Sequence, residues 1–395
     1  MMNIAHHIIV IGGGPGLCDR AHHLGALITL VDTPTSYEPA LVASVHRTVL
    51  TCYDDPALLP ALQALHAQQP FSAVLSMTEL GLLPAARIAD ALGLPGTSPQ
   101  AVERTRDKVL MREWLKKQAF SKVVNSPVSC SRDIQNFAQE HGFPVIVKPR
   151  SGVGSQSIMR FDSLEQLNEF PLSKLDYIVE PLLVGPEFSV EVFSFGGRHM
   201  IAAVTEKFTN DNDPHNPYVE VGHVVPARIS DEDRQAIEDY VRRFLTVMEI
   251  RDGCSHTELR LTANGPEVIE THTRVGGDSI PTLVRQATGC DLLDLAVQWP
   301  LGLIEPMDTP KANCAAAIRF FTPTPGKVKA ITGVHRWRGM PGVLKLHLSI
   351  KEGVMVGEPR DSFTRSGYVL ATAPTACLAL ELCGRVVDGV VVDIE

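Results

Sequence analysis

The sequence has 395 residues, a length that predicts two or three domains rather than one compact core. Apolar residues make up 44% of the chain and charged residues 21%, a balance that is typical of globular proteins and excludes a disordered chain. The formal net charge of −9 counts against a nucleic acid partner and favours small molecules as ligands.

The N-terminal segment and the cysteines predict a cytoplasmic protein. The first residues lack the basic flank and the small-residue cleavage site of a signal peptide, and no apolar run is long enough to span a bilayer. No membrane association is therefore expected. The eight cysteines are scattered singly and form no CxxC pair, which is typical of reduced thiols.

The first hundred residues alternate strands with helices, the pattern of a small parallel sheet. The opening "HIIVIGGGPG" predicts a buried strand that runs into a turn, a second strand ends at Asp32, and a later helix runs from about Leu82 to Leu92. A dinucleotide fingerprint would need a third glycine where Leu17 stands. A nicotinamide-dependent oxidoreductase is therefore the least favoured function.

Two helix starts and a strand follow. Ser98 and Asp107 stand at the N-cap positions of two helices, and Pro99 stands at the first position of the earlier helix. The stretch "FPVIVKP" then predicts a strand that carries Lys148 near its end.

The loop after Lys148 has the composition of a phosphate-binding loop. Gly152 and Gly154 free the backbone N–H groups to converge on an anion, and the lysine adds a positive charge. Hydroxyl donors come from Ser151, Ser155 and Ser157. No GKS or GKT follows, so this is not a Walker A loop, and a surface hairpin is the alternative interpretation.

The next segments predict an antiparallel sheet with a covering helix. The stretch "EFSVEVFSF" alternates apolar and polar residues, as a half-buried strand does. After Ser230, apolar residues recur at helical spacing, and the pair Asn264-Gly265 predicts a hairpin between two strands. The chain from about Lys311 is rich in short β segments punctuated by glycine and proline, which predicts a mostly β subdomain.

Carboxylates follow these strands in a pattern that suits a nucleotide site. Glu180, with the backbone that follows it, is a candidate for the amino edge of adenine, and Glu187 is a candidate for ribose hydroxyls. Glu258 and Glu270 lie on the two strands of the predicted hairpin, where both can face one side and bind Mg²⁺ through hard oxygen ligands. Arg274 adds a fixed cation beside them.

Taken together, these motifs resemble the ATP-grasp superfamily of carboxylate–amine ligases, and within it the L-amino acid ligases, which make dipeptides or related amides. The segments that carry the resemblance are "MTELGLLPAARIADALGLPG", "RDKVLMREWL", "VTEKFT", "YVEVGHVVPA", "HTELRL" and "ETHTRVGGDSIP". The implied fold is an ATP-grasp fold of mixed α/β and α+β class. Its predicted parts are an N-terminal small parallel α/β domain (1–97), a first or central lobe (98–185), a second or catalytic lobe (186–310) and a β-rich C-terminal subdomain (311–395).

The resemblance implies ATP as the nucleotide and Mg²⁺ as the metal, with Mn²⁺ as the alternative ion. Glu258 and Glu270 would bind the metal, whereas His272 stands where many ATP-grasp enzymes have an asparagine ligand and is left out of the metal site. The implied nucleotide contacts are Lys108, Lys148, Ser151, Gly152, Gly154, Ser155, Ser157, Glu180, Leu182, Leu183 and Glu187.

The implied chemistry is amide formation through an acyl phosphate. Lys207 would neutralise phosphate charge, and Arg274, helped by His256, would stabilise the oxyanion of the second step. A structural ion pair is the alternative role of Arg274. Glu79 and Asp278 are candidates for binding a substrate ammonium group, with a capping or solvated acid as the alternative for each.

The expected partners are small-molecule amino acids or carboxylic acids, in the context of antibiotic biosynthesis. Many such enzymes are homodimers, although the sequence presents no recognisable interface. The loop-like segment with His215 and His223 has the composition of a lid, the alternative being histidines satisfied within a loop or core. Two other functions stay open: another carboxylate–amine ligase or bicarbonate-phosphorylating enzyme of the same fold, and a nucleotide-binding protein without catalysis.

Overall fold

The computed structural model describes residues 6–13, 15–168, 176–210 and 218–395. Gly14 in the opening glycine run and His215 in the predicted lid lie outside these ranges. His223 lies on a strand and is fully buried, so of its two interpretations the core histidine agrees with the structure and the lid does not.

A four-stranded parallel sheet confirms the predicted N-terminal α/β domain. Its strands are β1 (His7–Ile11), β2 (Leu27–Asp32), β3 (Arg47–Leu50) and β4 (Ala73–Leu75), in the spatial order β3-β2-β1-β4. Its helices are α1 (Pro15–His23), α2 (Leu58–Gln68) and α3 (Leu82–Ala91), with a 3-10 turn at Pro39–Ala43. The first strand is buried throughout because α1 packs on one face of the sheet and α2 and α3 pack on the other.

Two capped helices connect this sheet to the rest of the molecule. They are α4 (Pro99–Arg106) and α5 (Lys108–Lys117). The side chain of Ser98 accepts a hydrogen bond from the N–H of Ala101, and Asp107 accepts from Val109 and Leu110. Both predicted N-caps are therefore confirmed.

A small antiparallel sheet follows, with the spatial order β5-β8-β6-β7. Its strands are β5 (Ser126–Val128), β6 (Val145–Pro149), β7 (Met159–Phe161) and β8 (Tyr177–Pro181). Its helices are α6 (Ser131–His141) and α7 (Leu164–Asn168). The apolar face of this sheet packs on α6. The opposite face, which carries Lys148, lines a cavity.

The remaining chain supplies one large sheet and one small one. The middle strands are β9 (Glu187–Phe195), β10 (Arg198–Thr209), β11 (Glu220–Val225), β12 (Gly253–Thr262) and β13 (Gly265–His272). The middle helices are α8 (Asp231–Val247), α9 (Ile280–Thr288) and α10 (Leu292–Gln298). The C-terminal strands are β14 (Ala315–Phe320), β15 (Gly326–Thr332), β16 (Val343–Leu348), β17 (Met355–Val356), β18 (Gly367–Ala373) and β19 (Val391–Ile394), with the helices α11 (Val334–Trp337) and α12 (Ala376–Gly389).

The large sheet is antiparallel and joins the middle of the chain to its C-terminal part. Its order is β13-β12-β9-β10-β11-β14-β18-β16, and β17-β15-β19 form a separate sheet. The predicted hairpin is confirmed, because β12 pairs with β13 and the turn between them holds Ala263 and Asn264, with Gly265 as the first residue of β13. The predicted β-rich C-terminal part is also present, but three of its strands extend the large sheet rather than forming a sheet of their own.

The prediction that β9 is half-buried is wrong. Its polar residues Ser189, Glu191 and Ser194 are as buried as its apolar ones. The strand lies between β10 and β12, and α8 packs on its apolar face through Phe244. The opposite face, which carries Ser189 and Glu191, is buried as well, because it forms part of the floor of the candidate active site.

Among the described residues, no helix combines the length and the apolar character needed to cross a membrane. All eight cysteines are free thiols.

Candidate active site

The polar face of the large sheet forms the floor of the candidate site. Because side chains alternate along a strand, every second residue of β9, β10, β12 and β13 points to this face. Strand pairing places Glu258 opposite Glu270 and His256 opposite His272, and it also places Glu191 beside His256. The sheet thereby concentrates acids and histidines that lie far apart in the sequence.

A first cavity lies between the small sheet and this floor. Lys148 on β6 and Glu180 on β8 form one wall, and Glu258 and Glu270 form the other. Further residues with predicted nucleotide contacts that line it are Lys108, Ser151, Gly152, Ser155, Ser157, Leu182, Leu183 and Glu187. The structure thus brings together the predicted set except for Gly154, which lines a second cavity next to the first.

The loop from Ser151 to Ser157 has the left-handed backbone that phosphate loops use. Gly152 and Gly154 have φ angles of 138° and 75°, and Ser155 and Ser157 have 57° and 55°. A residue with a Cβ adopts these angles at a cost of about 1–2 kcal/mol, so the two serines are held there by their surroundings. Such turns direct successive N–H groups into a concavity that binds anions.

Lys148 is held by a buried ion pair at the base of this cavity. Its Nζ lies 2.9 Å from Oε2 of Glu180, whose Oε1 lies 2.6 Å from Nε of Arg112. Burial alone would raise the pKa of Glu180, but Arg112 and Lys148 outweigh it and lower that pKa to about 2. The carboxylate of Glu180 is therefore engaged by two cations, whereas the sequence predicts that it contacts adenine.

The two acids of the floor form a pair with hard oxygen ligands. Glu258 lies 2.7 Å from Nζ of Lys207 and 3.0 Å from Nε2 of His256. Glu270 lies 2.8 Å from Nζ of Lys108 and 3.2 Å from Nε2 of His272. Burial would raise the pKa of both carboxyl groups, but the lysine beside each one, with the histidine, holds it well below its usual range.

Lys207 is the centre of a buried cluster of acids. Its Nζ lies 2.6 Å from Glu220, 2.7 Å from Glu258 and 3.3 Å from Glu187. Burial favours the neutral amine, but the three carboxylates raise the pKa of Lys207 well above its usual value. Glu187 has a second partner in Arg260, 2.9 Å away. This cluster fixes a positive charge beside the metal-binding candidates.

The second cavity joins the first at Glu258 and Glu270, which line both. Its lining residues come from the N-terminal domain, the Ser151–Ser157 loop, the large sheet with the segment that follows β13, and a turn before β18. The predicted catalytic and substrate residues in its wall are Glu79, His256, Arg274 and Asp278. The two cavities therefore meet at the acidic pair.

Glu79 and Arg274 form an ion pair in this wall. Nε of Arg274 lies 3.0 Å from Glu79, which also has Nδ1 of His272 at 3.0 Å and Arg106 at 3.4 Å. Burial would raise the pKa of Glu79, but His272 and Arg274 lower it to about 2. The pair ties the N-terminal domain to the segment that follows β13, and it occupies the carboxylate that the sequence predicts as a partner for a substrate ammonium group.

His256 bridges two acids of the floor. Its Nδ1 lies 2.7 Å from Glu191 and its Nε2 lies 3.0 Å from Glu258. Burial lowers its pKa, but Glu191 and Glu258 raise it to about 9, so the ring carries a positive charge at neutral pH. Gly276 leaves room for it, since a Cβ there would lie 2.8 Å from Nδ1 of His256.

Asp278 is held by the C-terminal part of the chain. Its Oδ2 lies 2.8 Å from a guanidinium nitrogen of Arg365 and 3.1 Å from Nε2 of His223. Burial would raise the pKa of Asp278, but His223 and Arg365 hold it well below its usual range. The sequence offers no signal for Arg365, which lies in the region predicted only as β-rich.

The family comparisons fall on the same parts of the chain as the two cavities. The matching models are an ATP-grasp N-terminal domain (residues 18–96), an ATP-grasp domain (residues 165–282) and an L-amino acid ligase C-terminal domain 2 (residues 319–395).

Two relatives and one solved structure illustrate the similarity. The uncharacterized protein y4rH of Sinorhizobium fredii is 24% identical over 373 residues, which cover 92% of this chain and 77% of that protein. Alanine–anticapsin ligase of Bacillus subtilis is 24% identical over 280 residues, and the match spans 58% of its length and 61% of this chain. The crystal structure of an L-amino acid ligase from Bacillus licheniformis shares the fold, with a TM-score of 0.82 at 22% identity over 100% of both chains.

Proposed function

We propose that this chain is an ATP-dependent carboxylate–amine ligase, because it belongs to the ATP-grasp superfamily and carries an L-amino acid ligase C-terminal domain. It would join the carboxyl group of an amino acid or small carboxylic acid to the amino group of an amino acid. The observation that carries the proposal is the meeting of two cavities at Glu258 and Glu270. One cavity suits a nucleotide, and the other suits a zwitterionic substrate.

The first cavity supports ATP as the nucleotide. Lys108 and Lys148 supply positive charge for phosphates, and the Ser151–Ser157 loop supplies N–H groups beside them. Leu182 and Leu183 offer an apolar surface for the base, and Glu187 offers a carboxylate for ribose hydroxyls. In this proposal, Glu180 acts by orienting Lys148 rather than by a side-chain contact with adenine.

The acidic pair supports a divalent metal. Glu258 and Glu270 lie directly opposite each other on rigid paired strands, and both line the junction of the cavities. Mg²⁺ prefers such carboxylate oxygens, and the two residues would hold it together with phosphate oxygens. When bound, the metal neutralises negative charge on the phosphates. His272 is engaged by Glu79 and Glu270, which supports leaving it out of the metal site.

The first step is phosphoryl transfer at the junction. An oxygen of the substrate carboxylate attacks the γ-phosphorus of ATP, the bond to the β-phosphate oxygen breaks, and ADP leaves. Lys108, Lys148 and Lys207 lie around this point and offset the negative charge of the reacting groups. The product is an acyl phosphate, which keeps one oxygen of the original carboxylate between carbon and phosphorus.

The second step forms the amide. The amine nitrogen attacks the acyl carbon, the bond between that carbon and the bridging oxygen breaks, and phosphate leaves as the amine loses a proton. Arg274 lines the second cavity beside the junction and would stabilise the oxyanion, while His256 adds a second positive charge. No protein nucleophile takes part.

The test is a matrix of substrates with the purified full chain, ATP and Mg²⁺. ADP and phosphate are measured for every pair of amino acids, for single amino acids and for bicarbonate, and the products are analysed by mass spectrometry. We expect ADP release that needs two substrates and a product mass equal to their sum less water. Glu258→Gln should abolish both signals. The control Glu113→Gln, on the exposed face of α5, should not.

Two outcomes would contradict the proposal. ADP release that requires bicarbonate and no amino acid would indicate another reaction of the same fold. Absence of ADP release with every amino acid and carboxylic acid would favour a nucleotide-binding protein without catalysis.

A further inference from the structure

A short turn before β18 reaches from the C-terminal part of the chain into the site. This turn, residues 360–366, is called here the C-terminal turn. It is closed on itself, because Oδ1 of Asp361 accepts hydrogen bonds from the N–H groups of Phe363 at 2.9 Å and Thr364 at 3.0 Å. The C-terminal turn is therefore a defined structure that can hold other parts of the chain in place.

One side of the C-terminal turn contacts the loop from Ser151 to Ser157, called here the phosphate loop. The N–H of Ser362 donates to the carbonyl oxygen of Gly154 at 3.1 Å, and Gln156 donates to Asp361 at 3.3 Å. The ring of Phe363 lies so close to Gly154 that a Cβ there would be 2.7 Å from it. Phe363 is otherwise 68% exposed.

The other side contacts the wall of the second cavity. The hydroxyl of Ser362 donates to Glu220 at 2.8 Å, and the guanidinium of Arg365 donates to Asp278 at 2.8 Å and to the carbonyl oxygen of Glu220 at 3.1 Å. Arg365 also stacks on Phe320, with its central carbon 3.5 Å from the ring centre. These contacts fix the C-terminal turn to two acids that line the cavity.

We propose that the C-terminal turn is a positioning element that couples the substrate cavity to the phosphate loop. Phe363 and the N–H of Ser362 hold Gly154 in the wall of the second cavity, and Arg365 anchors the turn to Asp278. This inference rests on the proposed function. A loop that is held in place would exclude water from the acyl phosphate. Water otherwise competes with the amine for the acyl carbon, and its attack returns the original acid and phosphate without an amide.

The test compares four proteins: the wild type and the variants Phe363→Ala, Phe363→Tyr and Met355→Ala. Met355 is the matched control, since it is 70% exposed on β17 and is absent from the lining of both cavities. Two quantities are measured, which are amide formed per ADP released and hydrogen exchange of the peptide that spans residues 151–158. We expect Phe363→Ala to lower the amide yield per ADP at least about twofold and to speed exchange in the loop. The tyrosine variant and Met355→Ala should match the wild type.

The two readouts separate this inference from the proposed function. If Phe363→Ala keeps the amide yield per ADP, or if Met355→Ala lowers it equally, the coupling is wrong. If the wild type forms no amide with any substrate pair, the proposed function fails, and hydrogen exchange alone decides the positioning claim. Unchanged exchange in Phe363→Ala would then overturn that claim, and faster exchange would support it.

Discussion

Arg274 has a structural contact and also lines the cavity in which the proposed reaction would need a cation. Its Nε pairs with Glu79, and another guanidinium nitrogen donates to the carbonyl oxygen of Val275 at 2.9 Å. The same side chain lines the second cavity beside Glu270. The ion pair, which the sequence leaves open as the alternative role, is therefore compatible with catalysis, because it fixes the orientation of the guanidinium group.

Replacing Arg274 with alanine should reduce amide formation by roughly a hundredfold or more, the loss expected when an oxyanion donor is removed. The KM for ATP should change little, since Arg274 is absent from the lining of the first cavity, where the proposal places the nucleotide. Steady-state kinetics of ADP release and amide formation measure both quantities. Glu79→Gln is the control, because it removes the partner and keeps the guanidinium, and it should cost less activity. Near-normal turnover in Arg274→Ala would contradict the catalytic role of Arg274 and would leave the structural ion pair with Glu79 as its function.

The residues that the sequence does not reveal are those whose partners are distant in the chain. Arg112 has a faint signal, since it stands one helical turn after Lys108 on α5. Arg365 and Glu220 are separated by 145 positions, and although Glu220 stands in a segment that carries the family resemblance, nothing local indicates that Arg365 is its partner. Their contact depends on strand order in the large sheet, which periodicity does not determine.

Helix α5 is the element that joins the N-terminal domain to the first cavity. Its first residue, Lys108, pairs with Glu270, and Arg112 on the same face pairs with Glu180. The start of the helix is fixed by Asp107, which also pairs with Arg150 at 2.6 Å, immediately before the phosphate loop. One aspartate therefore positions both a helix that carries site residues and the strand end that leads into the loop.

Asp107→Ala should lower the free energy of unfolding by about 1 kcal/mol for the lost N-cap, and by a smaller amount for the lost ion pair. Asp107→Asn keeps an oxygen acceptor for the cap and loses only the charge opposite Arg150, so it should cost less. Urea unfolding followed by tryptophan fluorescence gives both values. Equal destabilisation by the two variants would show that the cap contributes little.

Elements whose signals are local agree well with the structure, and β9 shows where such signals fail. The caps at Ser98 and Asp107 and the hairpin at Asn264 depend on neighbouring residues, and all three are confirmed. The alternation in β9 is also real, but it does not distinguish a face in water from a face in a buried polar site. Glu191 lies on that second face, beside His256.

At the scale of the whole molecule, the sequence predicts which parts of the fold follow one another along the chain, but it does not predict how their sheets join. The parallel N-terminal sheet and the ATP-grasp fold are confirmed. The extension of the large sheet by β14, β18 and β16 could not be predicted, because strand pairing over long separations leaves no periodic trace. That extension brings Arg365 to Asp278 and so closes the second cavity.

The acyl phosphate is the central claim, and the fate of the carboxylate oxygen tests it most directly. The substrate acid is labelled with ¹⁸O in its carboxyl group, the enzyme turns over with unlabelled ATP and water, and mass spectrometry locates the label. Attack of the carboxylate on the γ-phosphorus predicts one ¹⁸O atom in the released phosphate and the other in the amide. Unlabelled phosphate alongside labelled amide would contradict the mechanism.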